Sequence, residues 1–294
     1  MTTAPDPRAD VLTAVNGDAA ERAFIAVCWL SIGLPLLLLM ALVGTAVLQA
    51  GPRLSWAFLT SYPSRLPELA GILPALAGSA ALLGLTAALA IPLGVGAAIH
   101  LEEYARPGRW TAFVELNIAN LAGVPSILYG LLGLELFVRT LGMGRSLLAG
   151  ACTLALLLPM IITASREALR TVSPGLREAA FALGADRWQV VRQVVLPQAL
   201  PGILTGVILS LARAIGETAP LITIGALTYV AFLPDSLQSP FTALPIQIFN
   251  WASRPQPGFH VAAAAGILVL LVMLLVMNGL AIGLRQRLQR RMVS

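Results

Sequence analysis

The sequence predicts an all-α integral membrane protein with six transmembrane helices and both termini in the cytoplasm. Three observations lead there. The first is composition: of 294 residues, 57% are hydrophobic and only 11% charged, against about 25% charged in soluble proteins. The second is six apolar runs, near 24–48, 72–99, 112–138, 147–164, 202–226 and 260–284. Each is close to or above the roughly 20 residues a helix needs to cross a bilayer. The third is charge asymmetry. With the N-terminus inside, the inner segments carry 13 arginines and the outer segments 5, the bias that sets membrane orientation.

Taken in order, residues 1–22 are polar, hold Pro5, Pro7 and several acids, and read as a disordered cytoplasmic tail. The run 24–48 is longer than the roughly 7–15 residues of a signal-peptide core. It reads as a retained first helix, opening a transmembrane domain over 23–294. Pro35, Pro92, Pro125 and Pro159 lie inside apolar runs, where neighbouring helices satisfy the freed carbonyls. Pro125, in "GVPSILYG", is read as a kink or a break. The outer loops 49–71 and 227–259 are rich in proline and aromatics (Trp56, Tyr62, Tyr229, Phe232, Trp251) and read as interfacial turns with an aromatic belt.

Composition also excludes. All 19 basic residues are arginine, so the chain holds neither a P-loop lysine nor a Schiff-base lysine. The arginines are scattered between apolar runs, which is no nucleic-acid footprint. Cys28 and Cys152 sit in apolar runs without metal spacing or a disulfide framework and read as small core residues. His100 and His260 have no carboxylate or cysteine cluster beside them in sequence. No nucleophile–base constellation is present, so an enzyme is not expected.

One inner loop, about 164–201, is long. Ser173 and Pro174 mark a helix start, and Leu176, Ala179, Ala180 and Leu183 give it one apolar face. Gly184 is placed to end it in the left-handed region. Asp186 and Gln189 read as a capping box for a second helix, with Trp188, Val191 and Val195 on its apolar face and Pro197 as its end.

The run 202–226 carries Arg213 and Glu217. Gly202, Gly206, Ser210, Arg213, Glu217 and Pro220 recur at steps of three or four, so a helix puts them on one small, polar face. That reading places Arg213 near the bilayer middle, where an arginine costs about 2.5–3.5 kcal/mol on the insertion scale, and lets Glu217 neutralise it. The pair reads either as a packing lock or as a waypoint whose guanidinium fork matches the oxygens of a phosphate.

Two sets of residues carry a resemblance. Glu178, Ala179, Ala180, Gly184, Val194, Leu196 and Pro197 resemble the EAA loop of ABC importer permeases, with Val194 where that pattern has isoleucine. "RAIGETAPL" (213–221), "LAGVPSILYGLLGL" (121–134) and "ALPIQIFNWASRPQPGFHVAAAA" (243–265) are similar to PstA-type permeases of the phosphate-specific importer. The resemblance covers about 100–294. It implies the MetI-like permease fold and an ATP-driven phosphate importer in which this chain forms half of the pathway. It further implies that Glu178, Ala179, Ala180, Gly184, Leu196 and Pro197 couple to a separate ATPase, and that no cofactor sits in this chain, ATP being bound by the partner. The implied assembly adds a PstC-type permease as heterodimer partner, two PstB-type ATPase subunits and an extracytoplasmic phosphate-binding protein, in the bacterial inner membrane. Other cargoes (sulfate, molybdate, phosphonate) and an ion-coupled secondary transporter are the alternatives. Sulfate and molybdate permeases typically continue Arg-x-x-Gly-Glu with Phe-Gly, not Thr-Ala-Pro. A secondary transporter has no need of the loop's spacing.

Overall fold

The computed structural model describes residues 19–51, 53–156, 158–226 and 229–293. The expected tail, apart from its last four residues, lies outside them. Every regular element among the described residues is helical. The chain divides into two units, the first ending at Gln49.

The first unit is helix α1 (Ala19–Ala50), with Pro35 inside it. Phe24, Trp29, Leu37 and Leu42 are all exposed on it. A helix that is apolar all round belongs in lipid. Its hydroxyls bond back to its own backbone, Ser31 Oγ to the Val27 carbonyl at 2.8 Å and Thr45 Oγ1 to that of Leu42 at 2.9 Å. Cys28 is exposed here, so it is not a core residue.

The second unit contains α2 (Trp56–Thr60), α3 (Leu73–Ile99), α4 (Arg109–Ala122), α5 (Ser126–Gly133), α6 (Leu147–Ala155), α7 (Leu158–Arg170), α8 (Pro174–Ala182), α9 (Arg187–Val190), α10 (Leu196–Gly216), α11 (Ala219–Thr223), α12 (Leu244–Ala252) and α13 (Pro257–Val293). Widened π turns continue α3 (His100–Tyr104), α5 (Leu134–Thr140) and α9 (Val191–Val195). Among the described residues, four helical segments are long and apolar enough to cross a membrane, or up to six if two bent pairs each count as one span. The composition thus yields a multi-pass membrane protein with the expected number of apolar segments.

Helix α3 is central to this unit and packs on α6, α7, α10 and α12. Its buried stripe, Gly78, Ser79, Leu82, Thr86, Ala90, Gly94 and Ala98, is mostly small, which lets neighbouring backbones approach closely where lipid supplies no hydrophobic drive between helices. One core joins Ala90 and Ala98 of α3 to Ile161 and Leu169 of α7, Val190 of α9 and Ile203 of α10. A second joins Phe58, Ile72, Trp251 and Phe259. Trp251, expected in an aromatic belt, is buried there with its ring 5.9 Å from Phe58.

Two of the apolar runs are broken, the first of them at the proline where the sequence reads a kink or a break. The run 112–138 bends by 105° between α4 and α5, because Pro125 lacks an N–H and disfavours helical backbone in the residue before it. The run 202–226 ends as a helix at Gly216; Glu217 takes extended backbone (ψ 104°) and α11 begins afresh. A milder bend of 45° separates α6 from α7.

Candidate functional site

Helix α10 reaches the first charged feature. Ser210 is buried and donates to the Gly206 carbonyl at 2.8 Å. A Cβ at Gly206 would collide with Ala164, and one at Gly202 would lie 2.7 Å from the Ala168 Cβ. The small residues of the stripe therefore face α7. Since the helix stops at Gly216, Arg213 lies in its last turn, not midway along a continuous helix. There a cation also meets the negative end of the helix dipole. The pair forms without a continuous helix: Arg213 Nε donates to Glu217 Oε1 at 3.2 Å. The two side chains differ in access, Arg213 being 52% exposed and Glu217 15%.

The two helix breaks meet. Without its own N–H, Pro125 cannot donate to the Leu121 carbonyl four residues back, which accepts the Val124 N–H at 3.1 Å instead. The Tyr129 hydroxyl donates to that carbonyl across the bend. On the next residue, Gly130, a Cβ would collide with Thr223 Oγ1 and the Pro220 backbone, so only glycine lets α5 seat on α11. The stretches "GVPSILYG" and "GETAP" thus form one junction, with Glu217 and Arg213 at its border.

The long loop folds as its capping residues direct. Ser173 occupies the N-cap of α8 without a side-chain cap bond, and Pro174 opens the helix. Gly184 has φ +87°. Its N–H donates to the Phe181 carbonyl at 2.9 Å, and the Ala185 N–H to that of Ala180 at 3.1 Å, which is the Schellman ending. Asp186 and Gln189 form the reciprocal capping box, at 2.8 and 2.9 Å. Glu178 and Ala179 are exposed, and Ala180 is half-buried against the core of α3 and α7. Leu176, Phe181, Leu183 and Trp188 lie open on the surface, Leu183 at 90% exposure, while Val191 and Val195 are buried.

Pro197 does not end the second helix. Backbone helicity passes from α9 through Val191–Val195 into α10. The Leu196 N–H reaches back five residues to the Val191 carbonyl. Such a widened turn makes room for a proline that a regular helix interior would reject. Leu196 and Pro197 therefore sit at the base of α10 itself.

A group of charges that the sequence did not single out lies beside this loop. Arg166, 11% exposed, donates to Glu102 at 3.4 Å and Glu115 at 2.5 Å. Arg170 reaches Glu102 at 3.1 Å and Glu167 at 3.1 Å. Arg177 reaches Glu103 at 2.8 Å. Apart from Glu167, three residues before Arg170 on α7, these acids stand in "HLEEY" and on α4, and their sequence distance from the arginines hid the pairing. The only hint was a doublet of acids in an otherwise basic inner segment.

Residues 90–293 match the profile of the "binding-protein-dependent transport system inner membrane component" family. The chain belongs to that family. Its relatives are transporter permease subunits, not enzymes. It is 36% identical over 216 residues to "phosphate transport system permease protein PstA 1" of Mycobacterium tuberculosis, covering 72% of this chain and 70% of the relative. It is 33% identical over 259 residues to the PstA protein of Haemophilus influenzae, with 88% and 91% covered. To the "probable ABC transporter permease protein YqgI" of Bacillus subtilis it is 33% identical over 254 residues, with 82% and 86% covered. Among solved structures, the methionine transporter MetNI shares the fold at TM-score 0.57 and 22% identity, over 73% of this chain and 94% of that one. A bacterial alginate importer shares it at TM-score 0.61 and 16% identity, over 91% and 96%. This permease family accounts for the all-helical architecture and for its repeated membrane crossings.

Proposed function

We propose that this chain is the PstA-type permease subunit of an ATP-driven phosphate importer in the bacterial inner membrane, with both termini cytoplasmic. It supplies half of the translocation pathway. A PstC-type permease supplies the other half, two PstB-type ATPase subunits bind ATP, and an extracytoplasmic phosphate-binding protein delivers the anion. The observation that carries this reading is the pair at the end of α10. Arg213 keeps much of its guanidinium accessible while Glu217 holds one edge of it. An accessible guanidinium fork suits a tetrahedral oxyanion, and a neighbouring carboxylate keeps the hold weak enough for release. The phosphate named in several relatives' titles supports that cargo over sulfate or molybdate.

Glu178, Ala179, Ala180, Gly184, Leu196 and Pro197 are assigned to ATPase coupling. The open apolar side chains Leu183 and Trp188 give a separate protein something to cover, as uncovered apolar surface generally does. The test is to reconstitute the four-component assembly and ask which oxyanion-loaded binding protein stimulates ATP hydrolysis and is emptied into the vesicle. Stimulation and uptake with phosphate support the reading. Stimulation by sulfate or molybdate alone would replace the cargo and leave the coupling standing.

A further inference from the structure

Three consecutive side chains on the π turn that ends α3 each receive an arginine from a different helix. Glu102 accepts from Arg170 of α7 at 3.1 Å. Glu103 accepts from Arg177 of α8 at 2.8 Å. The Tyr104 ring lies under the Arg187 guanidinium of α9, 5.5 Å from its centroid. Both arms of the loop that carries Gly184 are therefore fastened to adjacent residues of one turn. Arg177 does more than pair. Its other bonds go to the carbonyls of Val172 at 2.6 Å and Leu169 at 3.0 Å, at and just beyond the end of α7.

The turn is an irregular one. A π turn widens the helix by one residue and aims successive side chains in directions a regular turn would not. Here it splays Glu102, Glu103 and Tyr104 toward three partners. A cavity of about 440 Å³ lies among Glu102, Arg170, Arg177 and Arg187, so the fastening leaves room for the loop arms to shift. At its other end α3 places Ser79 and Leu82 beside Ala214 and Ile215 of α10 and Leu221 of α11. Ala214 is the neighbour of Arg213. One continuous helical span, Leu73–Tyr104, thus touches the loop at one end and the Arg213–Glu217 junction at the other.

We propose that the π turn His100–Tyr104 receives the motion of the coupling loop and that α3 carries it to the junction. Glu103 and Tyr104 are positioning residues in this scheme, and neither touches the anion. The inference rests on the coupling reading given above. It differs from ATPase docking, because these contacts lie within the chain and form without a partner.

The test uses the complete assembly in vesicles and reads phosphate taken up per ATP hydrolysed. Glu103→Gln removes the charge that holds Arg177 and keeps the side chain's size. Uptake per ATP should fall roughly five-fold or more, within the range of site-to-site couplings, while the ATPase still copurifies with the permease. Arg187→Gln, at an exposed position that folding tolerates, should lower the ratio in the same direction. Combined with Tyr104→Leu it should lower it no further, because both changes remove one contact. Tyr104→Phe, which keeps the ring face, should retain the wild-type ratio. Unchanged uptake per ATP in Glu103→Gln and Arg187→Gln would overturn the linkage alone. Loss of ATPase copurification in Glu103→Gln would also overturn it, since the defect would then be docking. A wild-type assembly that hydrolyses ATP without moving phosphate would overturn the coupling reading and this role with it.

Discussion

Arg166 and Arg213 are both arginines at the margin of apolar helices, and their surroundings differ in one decisive respect. Arg166 is 11% exposed and held by two carboxylates, Glu102 and Glu115. Arg213 is 52% exposed and held through one nitrogen by Glu217. A buried ion is tolerated only when its partners replace the water it lost, and Arg166 meets that condition. Arg213 has donors to spare. Charge that builds the fold is closed on itself, and charge left partly open is available to a passing anion.

The sharpest way to break the comparison is to remove each arginine's partners in turn. Arg166→Ala leaves Glu115 without its cation and Glu102 with Arg170 alone. Removing one partner of a largely buried charge-assisted bond costs about 1–3 kcal/mol, so thermal unfolding of the purified chain in detergent should shift down by several degrees. Glu217→Gln, at the other region, should cost less stability, because the Arg213 head stays solvated; the same unfolding measurement compares the two directly.

The junction offers a second contrast, this time of packing. Gly130→Leu puts a side chain where Pro220 and Thr223 already sit. Phosphate uptake should be lost while the loop end of the molecule keeps its ATPase partner, as copurification would show. Tyr129→Phe removes the hydroxyl that satisfies the Leu121 carbonyl. That carbonyl keeps the Val124 N–H, so the loss is that of one ordinary hydrogen bond, about 1 kcal/mol, and the unfolding temperature should fall modestly.

The smallest effect belongs to the turn that caps α6. The carbonyls of Ser239 and Leu237 accept the Leu147 and Leu148 N–H groups at 3.0 and 2.9 Å. The Ser239 hydroxyl in turn donates to Asp235 and holds its carboxyl below the usual carboxylate range, helped by backbone hydrogen bonds. A lowered carboxyl pKa contributes stability that is present above the ordinary value near about 4 and is lost as pH falls through the folded value. Ser239→Ala should therefore lower stability more at neutral pH than in strong acid, where only the bonds its hydroxyl accepts from the Asp235 and Ser236 N–H groups are lost, as unfolding scans at the two pH values would show.

How much of this was legible depended on the range of the signal. The endings at Gly184 and Asp186–Gln189 follow from local capping rules, and the sequence alone placed them. Pro197 misled because the rule that proline ends a helix assumes a regular helix, and the widened turn Val191–Val195 removes that assumption. A kink or break at Pro125 was legible from the proline, though not its 105° angle, and the run 202–226 was read as one helix because hydropathy carries no direction. Pro125 and Glu217 change the chain's course without changing its apolar character. The pairs Arg166–Glu115 and Arg177–Glu103 join residues 51 and 74 apart, and no periodicity reports contacts at that range. The pairing of Arg213 with Glu217 was legible because four residues is within local reach. Its place at the end of α10 was not.

The open arginine is the centre of the proposed function, and Arg213→Lys tests it most directly. Lysine keeps the charge and loses the planar fork. Phosphate uptake should be measured in cells that have no other phosphate transporter, with membrane levels of the variant matched to wild type. Uptake should drop by about ten-fold or more if the fork meets the anion in transit, a loss of the order expected when charge-assisted hydrogen bonds are removed. Wild-type uptake by Arg213→Lys would contradict that role and leave the pair as a structural contact.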